Sequence, residues 1–555
     1  LAFPRLYGWW PRLPWRTVVR LWSRIAHWHE RVFVMGRRAT GGFAGALSVL
    51  SHVHRREHIL LGRASALGIG LQQPVGIKAQ RHLFMYAMTG AGKTTSLISI
   101  LSEWPGSALV IDPKGQITHA LNRHDRRRLW ATIKPYSKHS ARFNVFDILA
   151  EVTKSEGPDA AVLWAQRIAE ALVITPPGSK QPYFTQTAQA YLAGLILFVY
   201  RNCPREQQDL GTVRDLIVFG LQVFNPDGRE DTNREEAQSL LQQAMDECCS
   251  KWPEGRVIAG GAAGLISAAG ETGGNVRSTL QQQTAWLDSP AVRRTVLGKS
   301  TFSLSDLKSR DDRIVTLCAP VLSIREELAP FARLLLNMTG YVFEAHTTKS
   351  KYPCLLIADE LPSLGYNAAF ETMLPVARSY GLLVLGVAQN VELMKKTYPN
   401  SYGSFTGEAD AVLWMATNHN DTARLLSETL GNKTLIEIER DPKGERKPKK
   451  HYRDVKVMDP DQVRRFLSPE SGHLIVTRAG GRPMKLKVEP CFKALPVWRY
   501  APDPDHRESW PRRLSRALLG RPGPEPVQAD AGADALHDEE TVRNPAVRLS
   551  HDDQQ

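Results

Sequence analysis

Cysteine is scarce in this sequence of 555 residues: there are six, with no C-x-x-C pair and no metal-ligand spacing among them. That usage argues against a disulfide framework and fits a reducing cytoplasm. Long apolar runs are missing as well. No stretch approaches the roughly 18 uninterrupted apolar residues of a membrane span. The best candidate, AYLAGLILFVY ending at Tyr200, is short and follows the polar run TQTAQ, so it reads as a buried helix. Negative charge is in deficit, 57 acids against 71 Lys and Arg, for a formal net charge of +14. Residues 1–40 hold eight Arg against Glu30 and carry +7, while residues 521–555 hold three Arg against eight acids and carry −5. The body between them is left with +12. A basic body with a separate acidic tail implies a polyanionic partner, nucleic acid first and an anionic membrane surface second.

What is present divides the chain into five parts. Residues 1–57 form a basic segment with five tryptophans, Trp9, Trp10, Trp15, Trp22 and Trp28. From Arg16 onward Val18, Leu21, Trp22, Ile25, Trp28 and Val32 recur at helical spacing, predicting an amphipathic helix for a membrane interface or a protein partner. Over 58–149 short apolar strands alternate with helices: RHLFMYAM, then TTSLISILSEW, then SALVIDPKG. Such alternation implies a mostly parallel sheet. Strand signals nearly vanish over 150–309, an all-α insertion that includes EAQSLLQQAMDECC and NVRSTLQQQTAWL, with a stop and restart at Asp288 and Pro290. Over 310–500 strands return as RIVTLCAP, YPCLLIADE, LLVLGVAQ and AVLWMATN, and DTARLLSETLG follows as a helix capped by Asn420 or Asp421 and ended by Gly431. RDPKGERKPKKHYRDVK, residues 440–456, reads as a solvated basic loop between two strands. Residues 501–555 are too polar to offset their ordering entropy and are expected to be a disordered acidic tail.

The stretch AMTGAGKT, Ala87 to Thr94, is the phosphate-loop pattern with Ala in the first Gly position. Backbone N–H groups of Ala87, Thr89, Gly90, Ala91 and Gly92, and of a helix opening on Lys93, Thr94 and Thr95, would surround the phosphates of ATP. Lys93 would reach the β- and γ-phosphates and the Thr94 hydroxyl would bind Mg²⁺. In CLLIADE, two acids leave the carboxyl end of a buried strand, where α/β sheets bind ligands. Asp359 would hold Mg²⁺ through water, and Glu360 would orient and deprotonate the attacking water. Gln389 ends the run LLVLGVAQ and could sense the γ-phosphate at the same edge. Arg378, eighteen residues after Glu360, is a solvated arginine by spacing alone, or an arginine finger offered to a neighbouring subunit. Asp112 in VIDPKG reads as a turn-forming aspartate.

These stretches, with HILLGR, YFTQTAQAYLAGLIL, NVRSTLQQQTAWLDSPAVRR, FSLSDLKSRDDRIVTLCAP, DELPSLG and GLLVLGVAQN, resemble the TraG/TraD-like coupling proteins of conjugation and type IV secretion, from about His58 to Lys493. The resemblance implies a RecA-like P-loop NTPase core with a mostly parallel central sheet, a large all-α insertion domain and a disordered C-terminal tail. It implies a homo-oligomeric ring, a hexamer, that hydrolyses ATP and passes DNA, single-stranded and largely non-specific, from a relaxase complex to a type IV secretion channel. Carried over by position, Lys93, Thr94, Asp359, Glu360 and Gln389 keep the roles above, and Arg378 matches the family's trans-acting arginine. Family members usually begin with two membrane helices, which this sequence does not show. The expected location is the cytoplasmic face of the bacterial inner membrane, held peripherally or through a missing segment or partner. Alternatives on the same core are an FtsK-like DNA translocase or a secretion-apparatus assembly ATPase; one of another class is a non-catalytic nucleotide-binding adaptor.

Overall fold

The computed structural model describes residues 42–65, 72–175, 178–179, 182–224, 234–267, 271–439 and 449–503, with 511, 514, 515 and 518. The amphipathic segment expected after Arg16, the tip of the basic loop at 440–448 and nearly all of the acidic tail lie outside the described residues.

Thirteen strands are described: β1 Ile59–Ser65, β2 Gln72–Ile77, β3 His82–Tyr86, β4 Ala108–Asp112, β5 Leu129–Ile133, β6 Arg313–Cys318, β7 Cys354–Ala358, β8 Leu382–Ala388, β9 Ala409–Trp414, β10 Asn432–Glu439, β11 Lys449–Lys456, β12 His473–Arg478 and β13 Gly481–Lys487. Eleven form one sheet in the order β2-β1-β13-β12-β9-β3-β8-β7-β4-β6-β5. The run from β9 to β5 is parallel throughout, and β12, β13, β1 and β2 extend it by antiparallel pairing. All five residues of β3, β4 and β7 are buried. That is the requirement for parallel strands covered on both faces, and it explains their continuous apolar sequences.

Alternation along these strands feeds two cores. Leu83, Met85, Leu355 and Ile357 face a core shared with the helix Lys93–Glu103. Phe84, Tyr86, Leu356 and Ala358 face a second core, which continues through Trp164, Ile168, Tyr191 and Phe331 into the helical region. Between β5 and β6 the described chain is helical, from Val145–Glu156 to Ser305–Ser309. The run AYLAGLILFVY lies in the helix Pro182–Asn202, where Leu192 through Val199 are buried. At Gly386 of β8 a Cβ would sit 2.8 Å from the Phe84 ring, so glycine here lets that ring pack closely against the strand.

Two expectations are corrected. Lys449–Lys456 is not loop: β11 pairs with β10 over eight residues, in a register that sets Glu439 opposite Lys449. Its residues from Tyr452 to Asp454 are exposed, so no apolar alternation marks it. The helix Asn420–Leu430 is preceded by His419 at its N-cap without a side-chain cap, and Asn420 Oδ1 instead accepts from Arg464. Gly431, at φ 73, ends it as expected.

A working cap sits inside the helical region. Asp209, 4% exposed, accepts from the Thr212 N–H at 2.9 Å and opens the helix Leu210–Phe219. Burial raises its pKa to about 6, although the Thr212 hydrogen bonds and Arg293 pull the other way. Its carboxyl is thus more easily protonated folded than unfolded. That contribution to stability is present below pH 3.8 and is lost as pH rises through about 6. Asp209→Asn keeps a cap acceptor and never charges. We expect thermal melts to show it more stable than the parent at pH 7, by up to about 3 kcal/mol, with the advantage gone near pH 4. An advantage independent of pH would contradict this account.

Candidate active site

Strand order decides which side chains meet. The neighbours β3, β8, β7 and β4 are parallel, so their carboxyl ends line one edge of the sheet. The loop after β3 carries Lys93, Gln389 follows β8, Asp359 and Glu360 follow β7, and Asp112 ends β4.

The loop after β3 is shaped by its glycines. Gly90 and Gly92 have φ of 83° and 80°, values that strain any residue bearing a Cβ. Ala87 has no positive φ and its N–H still bonds to Ala388 O at 3.0 Å, so the position needs no glycine. That is why Ala is tolerated where the strict pattern has Gly. Thr89 and Gly90 are exposed, while Ala91 is buried. The helix Lys93–Glu103 begins at Gly92 without a side-chain cap, which leaves its first N–H groups available to an anion. The Thr95 and Ser96 hydroxyls turn back onto Gly92 O at 2.8 and 3.0 Å. Thr95 therefore offers an anion its N–H, and the Thr94 hydroxyl is the one left for a metal.

Lys93 Nζ lies 3.0 Å from Asp359 Oδ1 and 3.1 Å from Glu360 Oε2. Burial, the largest single influence, opposes charge on this lysine, but the two carboxylates outweigh it and its pKa is raised. Asp359, 4% exposed, is raised by burial, with Lys93 acting to lower it and Glu360 to raise it. Glu360 is the single non-glycine residue with positive φ, 77°, among the described residues. Such a conformation costs on the order of 1–3 kcal/mol and persists only when its surroundings impose it. Here Ser363 imposes it, bonding Glu360 O through its N–H at 2.9 Å and its hydroxyl at 2.7 Å.

Asp112 is more than a turn residue. It forms the turn, accepting from Gly115 N at 3.0 Å and Thr118 N at 2.8 Å, yet it is fully buried beside Asp359. Burial, with Asp359 adding to it, pushes its pKa up to about 6 against the Thr118 hydrogen bonds. The oxygens Asp112 Oδ1 and Glu360 Oε1 are buried without a hydrogen-bond partner. Hard, unpartnered carboxylate oxygens, with the hydroxyl of Thr94 next in the chain to Lys93, fit Mg²⁺, which takes few protein ligands and keeps water and phosphate for the rest. The sequence signal for Asp112, an apolar strand ending in an acid, was visible. Its weight depended on β4 lying next to β7, which only the fold reveals.

Arg378 is not brought to this cluster. It ends the helix Ala368–Ala377 and its Nε donates to Gln80 O at 3.0 Å, just before β3 begins. Lys93 follows the other end of β3, so the two are separated by the strand's length of about 16 Å. Arg378 stands away from its own chain's site.

A family model described as type IV secretory system conjugative DNA transfer matches residues 56–506. The chain belongs to this family. It is similar to the conjugal transfer protein TraG of Escherichia coli, 25% identical over 453 residues that cover 75% of this chain and 68% of the relative. A probable conjugal transfer protein TraG of Sinorhizobium fredii is 24% identical over 438 residues, covering 75% and 64%. The chain thus spans about two thirds of the length of these relatives. Among solved structures, the bacterial conjugative coupling protein TrwBdeltaN70 superposes with a TM-score of 0.59 at 15% identity, over 81% of this chain and 93% of that one. The plasmid coupling protein TrwB in complex with ADP and Mg²⁺ does so with a TM-score of 0.58 at 15% identity, over 82% and 94%. At that identity the likeness is one of fold, an α/β P-loop NTPase. Family, relatives and fold agree on a conjugative coupling protein. Among the described residues of the coupling protein, no helix is long and apolar enough to cross a membrane.

Proposed function

We propose that this coupling protein hydrolyses ATP and uses the cycle to drive DNA from a relaxase complex into a type IV secretion channel. The observation that carries the reading is the buried cluster of Lys93, Asp359 and Glu360 at the sheet edge, with Glu360 held at a strained φ of 77°. Strain kept at a functional residue fixes a side chain in one working position. Lys93 and the N–H groups of Gly92, Lys93, Thr94 and Thr95 hold the phosphates. Thr94 and Asp359 would hold Mg²⁺, with Asp112 completing the acidic wall; the ion supplies charge neutralisation at the phosphates. Glu360 orients the attacking water and takes its proton. Gln389 follows the strand between the phosphate loop and the two acids, the position of a γ-phosphate sensor.

A homo-oligomeric ring, a hexamer, fits the place of Arg378, which serves a neighbour's site because it cannot serve its own. The helical region, 150–309, is the candidate surface for recruiting the relaxase–DNA substrate. The working location is the cytoplasmic face of the bacterial inner membrane. A body of charge +12 offers a track for a phosphate backbone.

Binding titrations test the DNA part. Single strands of unrelated sequence should bind with equal affinity within a few fold. Contact with about six phosphates predicts a fall of roughly 10²-fold or more from 50 to 200 mM salt. A flat salt response would count against DNA as the cargo. ATP turnover that stays unchanged with single-stranded DNA present would count against coupling.

A further inference from the structure

At the far end of the phosphate-loop helix the surface opens into a recess of about 410 Å³ lined by His54, Arg55, Arg56, Glu103, Arg127 and Arg499. The helix Lys93–Glu103 is eleven residues long, so this recess lies about 16 Å from Lys93 and belongs to a different site. Its arginines have two different jobs. Arg127 and Arg499 each donate to Ser102 O at 2.8 Å; Arg127 also bonds Asp125 at 3.2 Å and Arg499 bonds Glu103 at 2.7 Å. Buried Arg128 satisfies Leu101, Trp104 and Gly106 carbonyls behind them. The negative end of the helix and both nearby acids are therefore already answered. Arg55 and Arg56 are exposed, and their side chains make no hydrogen bond or ion pair among the described residues. They carry surplus positive charge into a recess whose other guanidinium groups are held in place.

Exposed aromatic and apolar residues neighbour its lining residues in the chain. Trp498, adjacent to Arg499, is 50% exposed with its carbonyl bonded to His124 Nδ1, and Leu129, two residues from Arg127, is 45% exposed. Exposed Trp beside unpaired Arg is the composition of a water–bilayer interface. The chain that leads into the recess supports the same chemistry, since residues 1–40 carry five Trp and a charge of +7. Single-stranded DNA would use the arginines and can stack on tryptophan, but the helical spacing of Val18, Leu21, Trp22, Ile25 and Trp28 is the pattern of an interfacial helix.

We propose that this recess binds the phosphate headgroup of an anionic phospholipid, seating the coupling protein on the bilayer with Trp498 at the interface. The proposal rests on the membrane-face location given above and names its contact. The test uses the full chain, vesicles of phosphatidylglycerol in phosphatidylcholine, and pure phosphatidylcholine controls. The parent should bind only the anionic vesicles. Removing two interfacial charges in an Arg55→Gln/Arg56→Gln variant should weaken that binding about tenfold or more. Melting temperature, vesicle-free ATP turnover and affinity for single-stranded DNA should all match the parent. Trp498→Ala should weaken vesicle binding without lowering its salt dependence. If the parent ignores anionic vesicles, the proposed contact falls, while a membrane location held through a partner or another segment stands. If the parent binds and the double variant binds equally, the recess is the wrong contact. An equal loss of DNA affinity in that variant would assign the recess to DNA and overturn the proposal. So would loss of inorganic phosphate binding with vesicle binding retained.

Discussion

Glu360→Gln is expected to lower ATP turnover by roughly 10³-fold while nucleotide affinity stays within a few fold, because the amide keeps the shape but cannot accept the proton of water. The substitution is nearly isosteric, and the Ser363 bonds to the Glu360 carbonyl that fix its backbone do not involve the side chain. Lys93 keeps its 3.0 Å contact with Asp359 and so remains positioned for phosphate. Turnover assays and titration with a fluorescent ATP analogue separate the two effects. Residual turnover within tenfold of the parent would remove Glu360 from the chemistry. Lost turnover with DNA transfer retained would instead favour an adaptor that needs nucleotide only to hold its shape.

Arg378→Ala is expected to cost ~10³-fold or more in turnover, the range seen where arginine fingers operate. The reason is geometric: the residue lies beside Gln80 at the opposite end of β3 from Lys93, so any catalytic contact must reach a neighbouring subunit. Mixing decides it. Arg378→Ala supplies a complete Glu360, and Glu360→Gln supplies a complete Arg378. Each protein alone should be nearly silent, and an equimolar mixture should regain turnover through mixed rings. Nucleotide affinity of Arg378→Ala should be unchanged. Near-parental activity of Arg378→Ala alone would return it to the status of a surface arginine.

The two outcomes depend on how the site is written in the sequence. The phosphate loop and the Asp359–Glu360 pair were legible because each is local: a strand, a turn and a helix start, or a strand ending in acids. Continuous apolar runs announced the central parallel strands for the same reason, since both faces of β3, β4 and β7 are covered. What was not legible depends on strand order or solvent exposure. Asp112 gains its meaning from β4 lying against β7, a pairing between residues some 250 positions apart. Glu360's left-handed backbone is imposed by a turn whose bonds no composition rule predicts. β11 escaped notice because exposed strand residues need not be apolar. Arg378's separation from its own site appears only once the helix Ala368–Ala377 is seen to return to the start of β3.

The most direct measurement of the central claim is ATP turnover with and without single-stranded DNA, across a range of concentrations of the coupling protein. A DNA-driven ring with shared sites predicts turnover per subunit that rises with concentration and rises further with DNA. Turnover per subunit that is constant with concentration and indifferent to DNA would leave Lys93 in a working nucleotide site and contradict its use as a DNA motor.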